Sequence, residues 1–223
     1  MHDAASLPDY ISISGLFKAM PQTEGTNRFV YFEASNEGLD QQNEIVSAKA
    51  LSESKDYYLR YGNVDIDHLT LTGRPNPAKG YPGIADYMSY EIGVPVEVKQ
   101  SGKTTVKSQI KSGDGPAADR ANQFWNSLMT NPPTRWYPSV GGAIDPEGRI
   151  VEMDPTTGAK KVIITKVRWT NIGVSLTPVN QHVPGCATVP IGAFAKCHAH
   201  GGGLDLTKAL TAGYGTDSAT LTG

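Results

Sequence analysis

The chain has few cysteines, no long apolar run and no cluster of basic residues. Two cysteines in 223 residues are too few for a secreted disulfide scaffold. No apolar run approaches the length of a membrane span, and the first residues lack the charged-then-apolar layout of a signal peptide. The formal net charge is -2, so we expect no direct nucleic-acid partner. These absences predict a soluble intracellular protein without a membrane partner.

Glycine and proline are plentiful instead. The 24 glycines and 15 prolines indicate many turns, and hence short strands more than a helical bundle. Hydrophobic residues make up 39% of the chain, which is enough for one core of moderate size. We therefore expect a mainly β protein, of the α+β kind, with a few helices.

Pattern divides the chain into three parts. Residues 1–9 carry no pattern and are expected to be mobile. Residues 10–182 hold the folded domain, beginning with a strand at Tyr10–Phe17. Residues 183–223 are rich in Gly, Thr and Ala, which is typical of a weakly structured tail or a linker.

Local signals predict the main elements of the domain. Ser47 caps a helix that ends at Gly62, and Asp114 caps a second helix with Pro116 in its first turn. Residues 73–83, with three prolines and three glycines, form a loop. Strands are expected at Arg28–Ala34, Glu44–Val46, Asn63–His68, Tyr90–Val98, Thr104–Ile110, around Ser139, and along Val162–Leu176.

The best candidates for chemistry are Ser139, followed by Gly141 and Gly142, and His68 at the end of a predicted strand. A serine nucleophile needs an imidazole base and backbone N–H groups that stabilise an oxyanion. The nucleophile elbow of α/β-hydrolases is excluded, because it needs glycine where Tyr137 stands and a helix after the serine.

Five segments, in this order, resemble the caudoviral prohead proteases, the capsid-maturation serine peptidases of tailed phages, which are related in fold to the herpesvirus assemblins. The segments are Gln42–Val46, Val64–His68, the Gly93–Lys111 hairpin with the Pro116–Leu128 helix, Pro138–Gly142, and Ile172–Asn180.

The resemblance implies an assemblin-like closed β-barrel flanked by a few helices. It implies a serine endopeptidase that cleaves the phage scaffold protein and major capsid protein, and itself, inside the assembling prohead in the host cytoplasm. No cofactor is expected, and whether the chain forms a homo-oligomer is left open. A substrate peptide would lie extended along a strand edge under a flap at residues 73–83, and the tail would join a scaffold segment.

Residue by residue, the resemblance makes Ser139 the nucleophile, His68 the general base, and Gly141 and Gly142 the oxyanion-binding backbone. Each also has a plainer interpretation. His68 could be a solvated loop histidine, Ser139 an ordinary strand serine, and the glycine pair a β-bulge.

The third catalytic member is where the chain departs from the family. The family's position for a carboxylate or histidine is Gly173 here, which has no side chain. Asn171 lies two residues earlier on the same strand face and could orient the imidazole. Asp65 and Asp67 lie an odd number of residues from His68 and should point to the opposite face of a regular strand. The alternatives are therefore Asn171 or a dyad assisted by water.

Two further hypotheses come from other classes of protein. The first is a non-enzymatic β-barrel capsid-assembly or scaffold protein that has lost catalysis, suggested by Gly173. The second is a zinc-stabilised binding module, suggested by five Cys and His residues, although their spacing departs from common zinc modules and we assign no metal. These five residues are His182, Cys186, Cys197, His198 and His200.

Overall fold

The computed structural model describes residues 23–24, 26–40, 43–153, 155–156, 158–178, 183–189 and 191. The strand expected at Tyr10–Phe17 and four of the five zinc candidates, all but Cys186, lie outside the described residues. The described strands are β1 (Thr23–Glu24), β2 (Asn27–Ser35), β3 (Glu44–Val46), β4 (Asn63–Ile66), β5 (Glu91–Gln100), β6 (Thr104–Ile110), β7 (Tyr137–Ile144), β8 (Arg149–Met153), β9 (Lys160–Ile164) and β10 (Val167–Ser175). The described α-helices are α1 (Ala48–Tyr61), α2 (Leu69–Thr72) and α3 (Pro116–Leu128).

Seven of these strands form one sheet in the order β1-β2-β6-β5-β4-β10-β7, and β3, β9 and β8 form a second sheet. The large sheet curls into a half-barrel that brings β7 towards β2. Within it β10 runs parallel to β4 and antiparallel to β7. The expectation of a mainly β protein with a few helices is confirmed, and β7, which carries Ser139, lies at one end of the large sheet.

The core lies between this sheet and helices α1 and α3. Ser47 caps α1 by accepting a hydrogen bond from the Ala50 N–H at 3.1 Å, and the helix ends before Gly62, as predicted. Tyr58 of α1 stacks on Trp169 of β10, with ring centroids 4.0 Å apart and planes at 7°. Both rings are fully buried. This aromatic pair therefore fixes α1 against the strand that carries Asn171.

Two local predictions are wrong. The run Val162–Leu176 is two strands, β9 and β10, in different sheets, because the chain turns between them where the Thr165 N–H donates to the Gly148 carbonyl at 2.8 Å. The cap of α3 is Gly115, with φ of 103° and no side-chain cap, and not Asp114. Pro116 occupies the first turn as expected.

The beginning of the segment assigned to the tail lies against the sheet. Tyr31 and Ala187 exchange backbone hydrogen bonds of 2.8 and 3.1 Å, and Ile191 packs beside Tyr31 and Phe29. Cys186 packs against the main core, and burial raises the pKa of its thiol. The described segment 183–189 is thus part of the packed body.

Among the described residues, no α-helix is both long and apolar enough to cross a bilayer. The same part of the chain contains no group of three or more His, Cys, Asp or Glu side chains arranged to hold a metal ion.

A buried hydrogen bond between α1 and β10 gives a test of this packing. The Trp169 N–H donates to the Ser54 hydroxyl at 2.8 Å, beside a shift in the β10–β7 register. Ser54→Ala leaves that N–H unsatisfied, so the free energy of unfolding should fall by about 1–3 kcal/mol in urea titrations. Ser52→Ala, at an exposed position of the same helix, should leave it unchanged. Equal values for the two variants would contradict this role of Ser54.

Candidate active site

His68 lies in a turn and does not end a strand. Strand β4 stops at Ile66, and both Asp67 and His68 have left-handed backbone, with φ of 52° and 57°. Each such non-glycine residue costs on the order of 1 kcal/mol or more, so contacts must hold the turn in place. The rule of alternating faces ends with β4 and does not reach His68. The prediction that Asp65 points away from His68 is wrong, since its carboxyl group interacts with the imidazole.

Hydrogen bonds on both sides of the turn hold it in shape. The Asp67 N–H donates to the Val174 carbonyl of β10 at 3.0 Å. The Asp65 carboxylate accepts from the Thr70 N–H at 2.8 Å and from the Thr70 hydroxyl at 2.6 Å. Short helix α2 begins here, and the His68 carbonyl accepts from the Thr72 N–H at 2.9 Å. The backbone of His68 is therefore tied to β10 and to α2.

The imidazole of His68 lies in space left open by two glycines. A Cβ at Gly173 would come within 2.7 Å of both Cγ and Nδ1 of the ring. A Cβ at Gly141 would lie 2.7 Å from Nδ1 and 2.9 Å from Asn171 Oδ1. Real Cβ atoms do not approach so closely. The position where the resemblance expects a third catalytic side chain is thus where the ring itself packs.

Asn171 is hydrogen-bonded to Nδ1 of the His68 ring through its Oδ1. Its Nδ2 donates to Asn63 Oδ1 at 2.7 Å, and the Asn171 side chain is completely buried. Because an amide oxygen only accepts, Nδ1 carries the proton, and in the neutral ring Nε2 keeps a free lone pair.

Ser139 is the immediate neighbour of this arrangement on the adjacent strand. It pairs with Gly173 in the antiparallel β10–β7 register, so its side chain is on the face where the ring packs. Directly opposite Cβ positions lie about 4.5–5.5 Å apart. Among the described residues no hydrogen bond joins Ser139 to His68. Such bonds are often long before substrate binds.

His68, Ser139, Gly141 and Gly142 line one cleft of about 450 Å³. Residues of β7 form one wall. The other lining residues come from β7 itself, from β2, β3, α2, β9 and β10, and from the loop after β2: Ala34, Ser35, Gly38, Asp40, Glu44, Val46, Leu71, Thr72, Pro138, Val140, Ile144, Ile164 and Val167. A Cβ at Gly142 would lie 2.3 Å from the Arg168 carbonyl oxygen, so this glycine also permits close strand packing. The oxyanion role of the glycine pair stays a prediction.

Asp65 brings a buried carboxyl group to the site. Burial raises its pKa, and hydrogen bonding from Thr70 and Asn171 and the charge of His68 oppose that rise. Its Oδ1 has no hydrogen-bond partner among the described residues. Asp67, in contrast, is exposed. Of the two aspartates, Asp65 is therefore the one that acts electrostatically on the imidazole.

Comparison with known proteins gives no relative: no family model, no curated protein and no solved structure matches the chain significantly. The function must therefore be argued from the geometry and the sequence.

The space at Gly173 can be tested without an activity assay. Gly173→Ala should lower the free energy of unfolding by about 1–3 kcal/mol, because the new methyl group overlaps the imidazole. In a His68→Ala background the same change should cost much less, since the ring is gone. Urea titrations of the four proteins measure this coupling. Equal costs in both backgrounds would show that the ring does not occupy that space.

The raised pKa of Asp65 makes a second prediction. A carboxyl group with a raised pKa in the folded state favours its protonated form there. The free energy of unfolding of the wild type therefore falls as the pH rises from 3.8, the ordinary pKa of an aspartate, through the raised pKa of Asp65 in the folded protein. Asp65→Asn does not titrate, so its melting temperature relative to wild type should increase between about pH 4 and pH 7. A difference that stays constant or falls over this range would contradict the raised pKa.

Proposed function

We propose that this chain is a serine endopeptidase in which Ser139 is the nucleophile, His68 the general base and Asn171 the residue that orients the base. One observation carries the proposal. The His68 ring is hydrogen-bonded to Asn171 through Nδ1 and lies against Gly173, the residue directly opposite Ser139. The other ring nitrogen, Nε2, is therefore available to accept the hydroxyl proton of Ser139.

The reaction follows from this arrangement. Ser139 Oγ attacks the peptide carbonyl carbon while His68 Nε2 takes the hydroxyl proton. Backbone N–H groups near Gly141 and Gly142 would stabilise the oxyanion. The imidazolium then gives its proton to the leaving amine, and water hydrolyses the acyl-enzyme with His68 again as base. Asn171 fixes the ring but is neutral, and Asp65 is the buried carboxyl group that interacts electrostatically with His68.

The substrate is an extended peptide. Ser139 is on β7, which forms one edge of the described sheet and contributes residues to the cleft. An added strand can bind such an edge through main-chain hydrogen bonds, with side chains alternating into the cleft. Leu71 and Thr72, which directly precede the predicted flap at residues 73–83, line the same cleft.

The biological setting in the proposal comes from the five-segment resemblance. It is cleavage of phage scaffold and major capsid proteins, and of the chain itself, inside the assembling prohead. Closure of the observed half-barrel into an assemblin-like barrel belongs to the same proposal.

A second candidate is a non-enzymatic assembly protein built on the same fold. The observation that favours it is the absence of a hydrogen bond between Ser139 and His68 among the described residues. An enzyme must form that contact at least when substrate is bound, whereas a scaffold protein need not form it.

Labelling with a fluorophosphonate probe separates the two candidates. Wild-type protein and the control Ser101→Ala, changed at an exposed hairpin turn, should be labelled at Ser139. Ser139→Ala should lose all labelling, and should lose processing of co-expressed capsid and scaffold proteins, as followed by intact mass spectrometry. Its melting temperature should be unchanged, because replacing one hydroxyl with hydrogen opens almost no cavity. An unlabelled, folded wild-type protein that leaves its partners intact would favour the assembly protein.

A further inference from the structure

We propose that Glu91 and Asn63 are positioning residues that select the tautomer of His68 through a hydrogen-bond chain of fixed direction. The chain runs from Glu91 through Asn63 and Asn171 to the imidazole. Only its consequence for catalysis depends on the proposed peptidase activity. The selection of the tautomer is a property of the folded protein and can be measured directly.

The chain begins at a charged acceptor. Glu91 Oε1 accepts from Lys111 Nζ at 2.6 Å, and both side chains are partly buried. The backbone holds the pair in place, since the Lys111 N–H donates to the Ile92 carbonyl at 2.9 Å. An ionised carboxylate can only accept hydrogen bonds, so any group facing Glu91 must donate.

Asn63 is the group that faces it. Asn63 Nδ2 donates to Glu91 Oε2 at 3.2 Å and to Thr70 Oγ1 at 3.3 Å. Flipping this amide would set its oxygen against a carboxylate oxygen, two acceptors with no proton between them. Thr70 Oγ1 is a second acceptor here, because its own proton is donated to Asp65 Oδ2 at 2.6 Å. A hydroxyl can turn and donate instead, whereas a carboxylate cannot, so Glu91 is the acceptor that fixes the Asn63 oxygen towards Asn171.

The direction of the Asn63 amide determines the direction of the next hydrogen bonds, as far as the imidazole. Because Asn63 offers an oxygen, Asn171 must offer Nδ2, and the two meet at 2.7 Å. Asn171 then has only its oxygen left for His68, so Nδ1 must be the protonated nitrogen. Without Glu91 both amides could flip together, with the Thr70 hydroxyl turning from Asp65 to donate to Asn63, and the neutral ring could carry its proton on Nε2. That tautomer cannot accept a proton from Ser139.

The cost of the wrong tautomer is large. In a serine protease whose orienting aspartate is replaced by asparagine, the wrong tautomer lowers turnover by about 10⁴-fold. The orienting residue here is itself an asparagine, so its amide could present either its oxygen or its NH2 group to the imidazole. A fixed acceptor further along the chain removes that ambiguity, which gives Glu91 a role at a distance from the reacting atoms.

Nuclear magnetic resonance of protein with ¹⁵N-labelled imidazoles tests the inference, at a pH where the ¹⁵N shifts themselves show a neutral ring. The His68 signals are assigned from their loss in His68→Ala. Wild type should show the Nδ1–H tautomer. Glu91→Gln, which can donate or accept, should show a mixture of tautomers or the Nε2–H form. Glu97→Gln, an exposed carboxylate of β5 paired with Lys99 at 3.2 Å, is the matched control and should match wild type.

A second variant protects the test against a folding defect in Glu91→Gln. Asn63→Ala removes the hydrogen-bond partner of Asn171, and should also give a mixture of His68 tautomers or the Nε2–H form. If the folded variants keep a pure Nδ1–H ring, or if wild type itself shows Nε2–H, the inference is overturned, whatever the activity of the protein.

The catalytic consequence has its own measurement. Glu91→Gln should lower the rate of fluorophosphonate labelling by roughly three- to thirtyfold, a range typical of coupled network residues. In an Asn171→Ala background the same change should have no further effect, because the chain is already broken. A full additional loss in that background would mean that Glu91 acts by another route, against the inference. If Glu91→Gln changes the tautomer but the wild-type protein is not labelled at all, the inference about the tautomer stands and the peptidase proposal is contradicted.

Discussion

The site depends on the absence of two side chains. The His68 ring occupies the space that Cβ atoms at Gly141 and Gly173 would fill, and it enters that space through two consecutive left-handed residues. A left-handed turn without a glycine is unfavourable by itself. It is stable here because β10 holds the Asp67 N–H and because Asp65 caps the following helix through Thr70. Ring, turn and strand pairing are therefore one constraint.

This constraint places polar groups where a core would otherwise be apolar. Asn171 and Asp65 are both fully buried, next to the stacked rings of Tyr58 and Trp169. Burial of an amide is tolerable when its donor and its acceptor are both satisfied, and those of Asn171 are. Asp65 is different, since one of its oxygens has no partner among the described residues. A buried carboxylate with an unpaired oxygen costs stability.

Much of the fold can be predicted from the sequence because its signals are local. Ser47 and Gly62 mark the ends of α1 through caps that involve neighbouring residues. The β5–β6 hairpin follows from alternation on either side of a short polar turn. The break at Thr165 and the turn at His68 were not predicted, because distant partners set them: the Gly148 carbonyl in one case and the Val174 carbonyl in the other. Nothing in the nearby residues distinguishes these turns from continuing strand.

The candidate site divides in the same way. Residue type alone singles out Ser139 and His68, and strand alternation brings in Asn171. Asn63 and Glu91 have no such signal, because their roles come from pairing: Asn171 lies opposite Asn63 in the parallel β10–β4 register. A slip of one residue in that register would turn Asn63 to the other face of the sheet. The hydrogen-bond chain to His68 would then be cut, although every residue in it would remain. In the proposed hydrogen-bond chain, the tautomer of the ring is thus a consequence of strand register.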